Sequence, residues 1–168
     1  MDAALFGESH ILAFPTLKPT LRPALIGPHP LNPALEAYRK GDGRRARAAL
    51  ADLHARRRYM LPGSVAADAT FVEAWLMTQL GDSTAAAAFL DLTLSALPTQ
   101  RTALLTETPQ ASGLVRAMAL RAELADAAGD AATARRWGEA VSTLWGNAEP
   151  PLHPLVQRMR SLAGPSGR

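Results

Sequence analysis

Residues 71–98 read FVEAWLMTQLGDSTAAAAFLDLTLSALP, two apolar-rich runs separated by Gly81-Asp82. In the second run Ala86, Phe89, Leu90, Thr93, Leu94 and Leu97 recur at spacings of three and four, which predicts one buried stripe on a helix that ends before Pro98. In the first run Phe71, Trp75 and Thr78 follow one helical row and Val72, Leu76 and Leu80 the next. That helix is therefore apolar over most of its circumference and is expected between two neighbours, as in a stacked array. Asp82 or Ser83 supplies the cap between the runs, and the small residues Ala85 to Ala88 let two axes approach closely.

The same punctuation occurs at Gly41-Asp42 and Gly129-Asp130. Each Gly is followed five residues later by Ala (Ala46, Ala86, Ala134) and preceded seven residues earlier by Ala (Ala34, Ala74, Ala122). Nine after the Gly come Leu50, Leu90 and Gly138, and twelve after come Leu53, Thr93 and Val141. Small residues thus recur where helices are expected to cross, in units of unequal length. Outward from the middle unit, Asn32 with Pro33 is expected to start a short helix ending near Gly41, and a second helix is expected from Gly43 or Arg44 to about Tyr59. Leu61-Pro62-Gly63 breaks the chain and Ser64 caps the next helix, to about Leu80. A turn of helix is expected at residues 102–106, a fifth helix at 112–128, a sixth from Asp130 to about Trp145 and a last one from Pro150-Pro151 to about Leu162.

This pattern resembles the tetratricopeptide repeat, in which two antiparallel helices meet at small residues and a proline ends the second. The middle unit carries the likeness: Ala74, the turn Gly81-Asp82, Ala86, Leu90 and the terminating Pro98. In the outer units Arg58 and Gly146 stand where that proline would be, and Gly138 replaces the large apolar residue. The resemblance implies an all-α stack of helix pairs over residues 32–163 with a capping helix at its end. An extended Pro-rich arm (1–31) precedes it and a short tail (164–168) follows.

Composition agrees with helices. Ala and Leu carry the apolar 48% of the 168 residues, while Val and Ile together number seven, so sheet folds are disfavoured. There is no Cys, hence no disulfide, thiolate nucleophile or Cys-held zinc. Residues 15–33 contain six prolines together with Leu17, Leu21, Leu25, Ile26 and Leu31, too apolar for a free linker. The arm is expected either to pack back on its own domain or to drape over a partner, and Phe14, Leu17 and Leu21 are its candidate contacts. The first fifteen residues, with Asp2, Glu8 and His10, do not read as a secretory signal, and no run of about 18 apolar residues is long enough to span a bilayer. A cytoplasmic location, peripheral to a membrane through a partner, follows as an expectation.

Net charge +3 conceals a basic block, residues 36–60, and an acidic one, residues 61–110. The basic block includes Arg44, Arg45, Arg56, Arg57 and Arg58, expected either as a solvated helix face or against an acidic protein or anionic lipid headgroups. No recognition motif accompanies this charge, so nucleic acid is not expected. The four histidines lack a second ligand at helical spacing, no Gly-rich phosphate loop follows a strand, and Asp82 and Asp130 read as caps. His54 reads as a surface residue of the basic helix. No catalytic residue, metal ligand or cofactor is assigned. Trp75 reads as core; Trp137 and Trp145 read as core or as anchors for a partner, Trp145 especially, at a helix end before Gly146.

The expected function is binding without catalysis, by a structural or assembly subunit docked on a larger complex, with the arm as a strap. A bacterial membrane complex, photosynthetic or respiratory, suits such a subunit, and an Ala- and Arg-rich, Lys-poor composition suits a bacterial gene of high GC content. The alternative is a regulatory module that reads a peptide of a soluble client in its concave groove.

Overall fold

The computed structural model describes residues 29–57, 67–99 and 108–164. These form seven α-helices: α1 (Asn32–Arg39), α2 (Gly43–Arg57), α3 (Ala67–Gln79), α4 (Ser83–Ser95), α5 (Thr108–Ala127), α6 (Ala131–Leu144) and α7 (His153–Ala163). Short 3-10 turns lie at Leu97–Thr99 and Pro150–Leu152, and no strand occurs among the described residues. The ends expected near Tyr59, at Pro62-Gly63 and Ser64, and the turn at 102–106, lie outside the described residues.

Three pairs of helices, α1 with α2, α3 with α4 and α5 with α6, are each joined by a Gly-Asp turn and pack on one another. The turns are built alike. Gly41, Gly81 and Gly129 adopt φ of 78°, 86° and 78°, the left-handed conformation that glycine enters without a Cβ penalty. The N–H of each following Asp donates to the carbonyl five residues back, at Ala37, Met77 and Ala125, and closes the preceding helix. The same Asp caps the next helix, its carboxylate accepting from the N–H of Arg45, Ala85 or Thr133 at 2.9, 3.1 and 3.0 Å. One dipeptide thus ends one helix and begins the next.

The small residues flanking these turns are all in the core. Ala34, Ala74 and Ala122 before the glycine, and Ala46, Ala86 and Ala134 after it, are each at most 2% exposed. Beyond the pairs, α3 packs on α5, α4 on α5, and α7 on α6 with a smaller contact to α5. The helix expected to be inner is so: every described side chain of α3 from Ala69 to Met77 is buried, and only Thr78 and Gln79 reach the surface. Helix α5 is equally enclosed from Gly113 to Leu120.

Three local expectations are corrected. Leu31, not Asn32, occupies the N-cap of α1, without a side-chain cap bond. The imidazole Nδ1 of His29 accepts from the Leu31 N–H at 3.2 Å and the His29 carbonyl from the Asn32 N–H, so His29 fixes the turn that leads into α1. Helix α5 begins at Thr108 rather than 112, because Pro109 stands in its first turn, where a missing N–H costs nothing. The pair Pro150-Pro151 forms a 3-10 turn, and the last α-helix begins after it.

Gly138, where the other units carry Leu50 and Leu90, lies where the backbone of α7 comes close to α6. A Cβ there would lie 2.7 Å from the Met159 carbonyl oxygen and 3.1 Å from the Ala163 nitrogen. The departure from the repeat is what admits the terminal helix. No helix among the described residues is long and apolar enough to cross a membrane.

Candidate functional site

The basic helix α2 has two flanks. Its inner flank carries Ala46, Leu50 and Leu53 into the core, together with three polar side chains that reach α3 and the turn after it. Arg47 donates to the Leu80 carbonyl. His54 Nε2 lies 2.6 Å from Glu73 Oε1, and Arg57 donates to Glu73 Oε2, also at 2.6 Å. Glu73 has no exposed surface, so its charge would be costly without these two partners. His54 stacks on Phe89 of α4 with centroids 5.8 Å apart, and one imidazole of α2 thereby touches both α3 and α4. Next to this cluster Tyr38 meets Trp75 edge-on at 5.6 Å and its hydroxyl donates to Gln79 Oε1. His54 is therefore not the plain surface histidine expected from its neighbours; its ring is committed to the buried carboxylate.

The outer flank is different. Arg44, Arg45 and Arg56 are exposed, separated by Ala48, Ala51 and Ala55. Arg56 pairs with Asp52 one turn earlier, a contact between two exposed groups that contributes little. Of the five arginines assigned from sequence to a partner contact, Arg44 and Arg45 stand free of ion pairs among the described residues, Arg56 is paired along its own helix, and Arg57 serves the interior. Arg58, Phe14, Leu17 and Leu21 lie outside the described residues.

Trp145 caps the C-terminus of α6 and is half-buried against the core. The guanidinium of Arg116, buried within α5, lies 5.4 Å from its ring centroid, and burial pushes the Arg116 pKa down to about 10. The indole thus forms part of a cation's enclosure. On α6 the guanidinium of Arg136 lies 4.8 Å from the ring centroid of Trp137, which is buried, the first of the two alternatives left open for it.

Two carboxyls are shifted in opposite directions. Burial raises the Glu123 pKa, with Arg158 opposing and Asp126 adding to the rise. Asp130 is held below the usual carboxylate range by its hydrogen bonds from the Thr133 side chain and N–H, which is the electrostatic signature of a cap. Two further ion pairs tie neighbouring helices: Arg121 of α5 with Asp91 of α4 at 2.7 Å, and Arg158 of α7 with Asp126 of α5 at 2.8 Å.

Sequence reasoning missed Glu73, His54 and Arg47. A signal existed for the first two: a single carboxylate in the apolar run FVEAWL, and His54 and Arg57 three residues apart on the face that Leu50 and Leu53 turn inward. Comparison with protein-family models, curated proteins and solved structures gives no match.

Proposed function

We propose that this chain is a non-catalytic interaction scaffold whose three helix pairs stack as a tetratricopeptide-like array closed by α7. In this reading it is a structural or assembly subunit docked on a larger complex. The supporting observation is the threefold use of one turn, with its left-handed glycine, its double-duty Asp and its buried Ala on either side. Such a frame gives a rigid surface, and binding on surfaces of this kind needs no acid/base pair.

A subunit is favoured over a groove that reads client peptides because α3, the middle helix of the array, is covered on all sides from Ala69 to Met77. A peptide reader needs that helix open. In the subunit reading the arm straps the chain to its partner, and the membrane complexes of a bacterium are a natural setting.

The test is affinity capture from membrane and cytosolic fractions with the full chain and with a variant lacking residues 1–28. That variant keeps His29 and Leu31, which start α1 and belong to the fold. A stoichiometric partner held by the full chain and lost on truncation is expected. A short client segment held equally by both forms would favour the peptide reader, and no stoichiometric partner in either fraction would overturn both.

A further inference from the structure

The first Gly-Asp turn differs from the other two in charge and in nothing else that builds it. Within four residues of Gly41 lie Arg39, Lys40, Arg44 and Arg45, all exposed and without an ion pair among the described residues. Within four residues of Gly81 or of Gly129 there is no cation. All three turns nevertheless share the hydrogen bonds that close one helix and cap the next, with the same glycine conformation, so the fold does not need these charges. They even work against it. Arg44 and Arg45 stand in the first turn of α2, which contains no acidic residue, and the positive end of a helix dipole disfavours cations there. Beyond the Asp42 cap, whose carboxylate accepts from the Arg45 N–H, no contact of these side chains among the described residues offsets that cost, and a local rule broken in this way marks a place where function decides.

We propose that the α1–α2 turn docks an acidic protein surface, an inference that rests on the scaffold reading and names the chemistry of one contact. Two exposed carboxylates accompany the four cations, Glu36 ahead of them and Asp42 between Lys40 and Arg44. A uniformly anionic headgroup plane would repel both, whereas a protein surface can match mixed signs. Among the described residues a membrane contact also lacks an anchor at this turn, since the exposed large apolar side chains there, Leu92 and Leu144, belong to α4 and α6. Three of the four cations are arginines, whose planar fork pairs with a carboxylate through two parallel hydrogen bonds. The partner is therefore an acidic protein segment that brings carboxylates to Arg44 and Arg45.

The test uses the full chain with two probes, a helical peptide built of Glu and Ala, and phosphatidylcholine vesicles with and without phosphatidylglycerol. Arg44→Glu/Arg45→Glu is compared with Arg135→Glu/Arg136→Glu on α6, an equal change in charge elsewhere. The expected result is peptide binding that falls by about tenfold or more in the first variant and changes little in the second, because charge pairs at a defined interface are position-dependent. Equal weakening in both variants, binding to the vesicles but not to the peptide, or binding to neither probe would overturn the proposal. In the capture experiment, a partner retained by Arg44→Glu/Arg45→Glu would overturn it while leaving the scaffold reading intact; no partner for the wild-type chain would remove the scaffold reading itself.

Discussion

Arg57 and Glu73 are sixteen residues apart in the chain and 2.6 Å apart in space, and their contact carries the basic helix α2 onto the buried face of α3. The arginine is mostly covered and the carboxylate fully so. With His54 on its other oxygen, Glu73 has both oxygens engaged.

Removing that carboxylate leaves Arg57 enclosed without its counter-charge. Glu73→Gln is expected to cost about 2–4 kcal/mol, below the ~3–5 kcal/mol of a fully buried pair because Arg57 retains some solvent. Replacing both residues, Glu73→Gln with Arg57→Gln, should cost less than the sum of the single changes by about 1 kcal/mol or more. Urea denaturation of the four proteins gives the cycle, and strict additivity would mean that the pair does not couple.

The approach of α7 to α6 leaves no room for a side chain. Gly138→Ala places its Cβ against the Met159 carbonyl, a backbone atom that moves only with its helix. A loss of about 1–3 kcal/mol is expected in spite of alanine's better helix propensity. Calorimetry of the variant checks it, and a stabilised protein would place α7 elsewhere.

Ala86 is fully buried in α4, five residues after the turn glycine, at the position that Ala46 and Ala134 occupy in the other pairs. Ala86→Leu should overpack the α3–α4 pair by about 1–3 kcal/mol. Ala88→Leu, on the exposed side of the same helix, serves as control and should leave melting nearly unchanged. Equal effects of the two would mean that the helices do not cross at Ala86.

Burial holds the Glu123 pKa above its ordinary value, so its ionised form is worse off in the fold than in the unfolded chain. The sign follows: what Glu123 contributes to stability is greatest below the ordinary carboxylate range and is lost as pH rises through the raised pKa. Glu123→Gln should therefore be more stable than wild type at neutral pH, and the difference should vanish as the pH falls below about 4, where the unfolded carboxyl is protonated too. Melting temperatures of both proteins from pH 3 to pH 8 give the curve. A gain that grows toward acid would reverse the assignment.

Much of the frame was readable in advance because it rests on short-range chemistry. Gly81 followed by Asp82 dictates a left-handed stop and a capped start within two residues, and the Ala positions at fixed offsets follow from where two helices must touch. The inner location of α3 was legible because Phe71, Val72, Trp75 and Leu76 make most of its circumference apolar, although the burial of Glu73 among them was not. The part of His29 at the start of α1 was not legible, since the two-residue reach of its ring to the Leu31 N–H depends on a turn that the sequence leaves unspecified. Nor was His54: its neighbours are arginines, and only the packing of α2 against α3 and α4 shows that this partly exposed ring also meets Glu73 and Phe89. Among the residues assigned to partner contact, charge alone could not separate Arg57, which the interior uses, from Arg44 and Arg45, which it leaves unused.

With a bare hydrogen at Gly138, the Met159 carbonyl and the Ala163 nitrogen of α7 come up against the backbone of α6 itself. The spacing of these two rods is thus fixed by main chain against main chain, with no flexible side chain between them to yield, and any larger residue there must be absorbed by moving a whole helix.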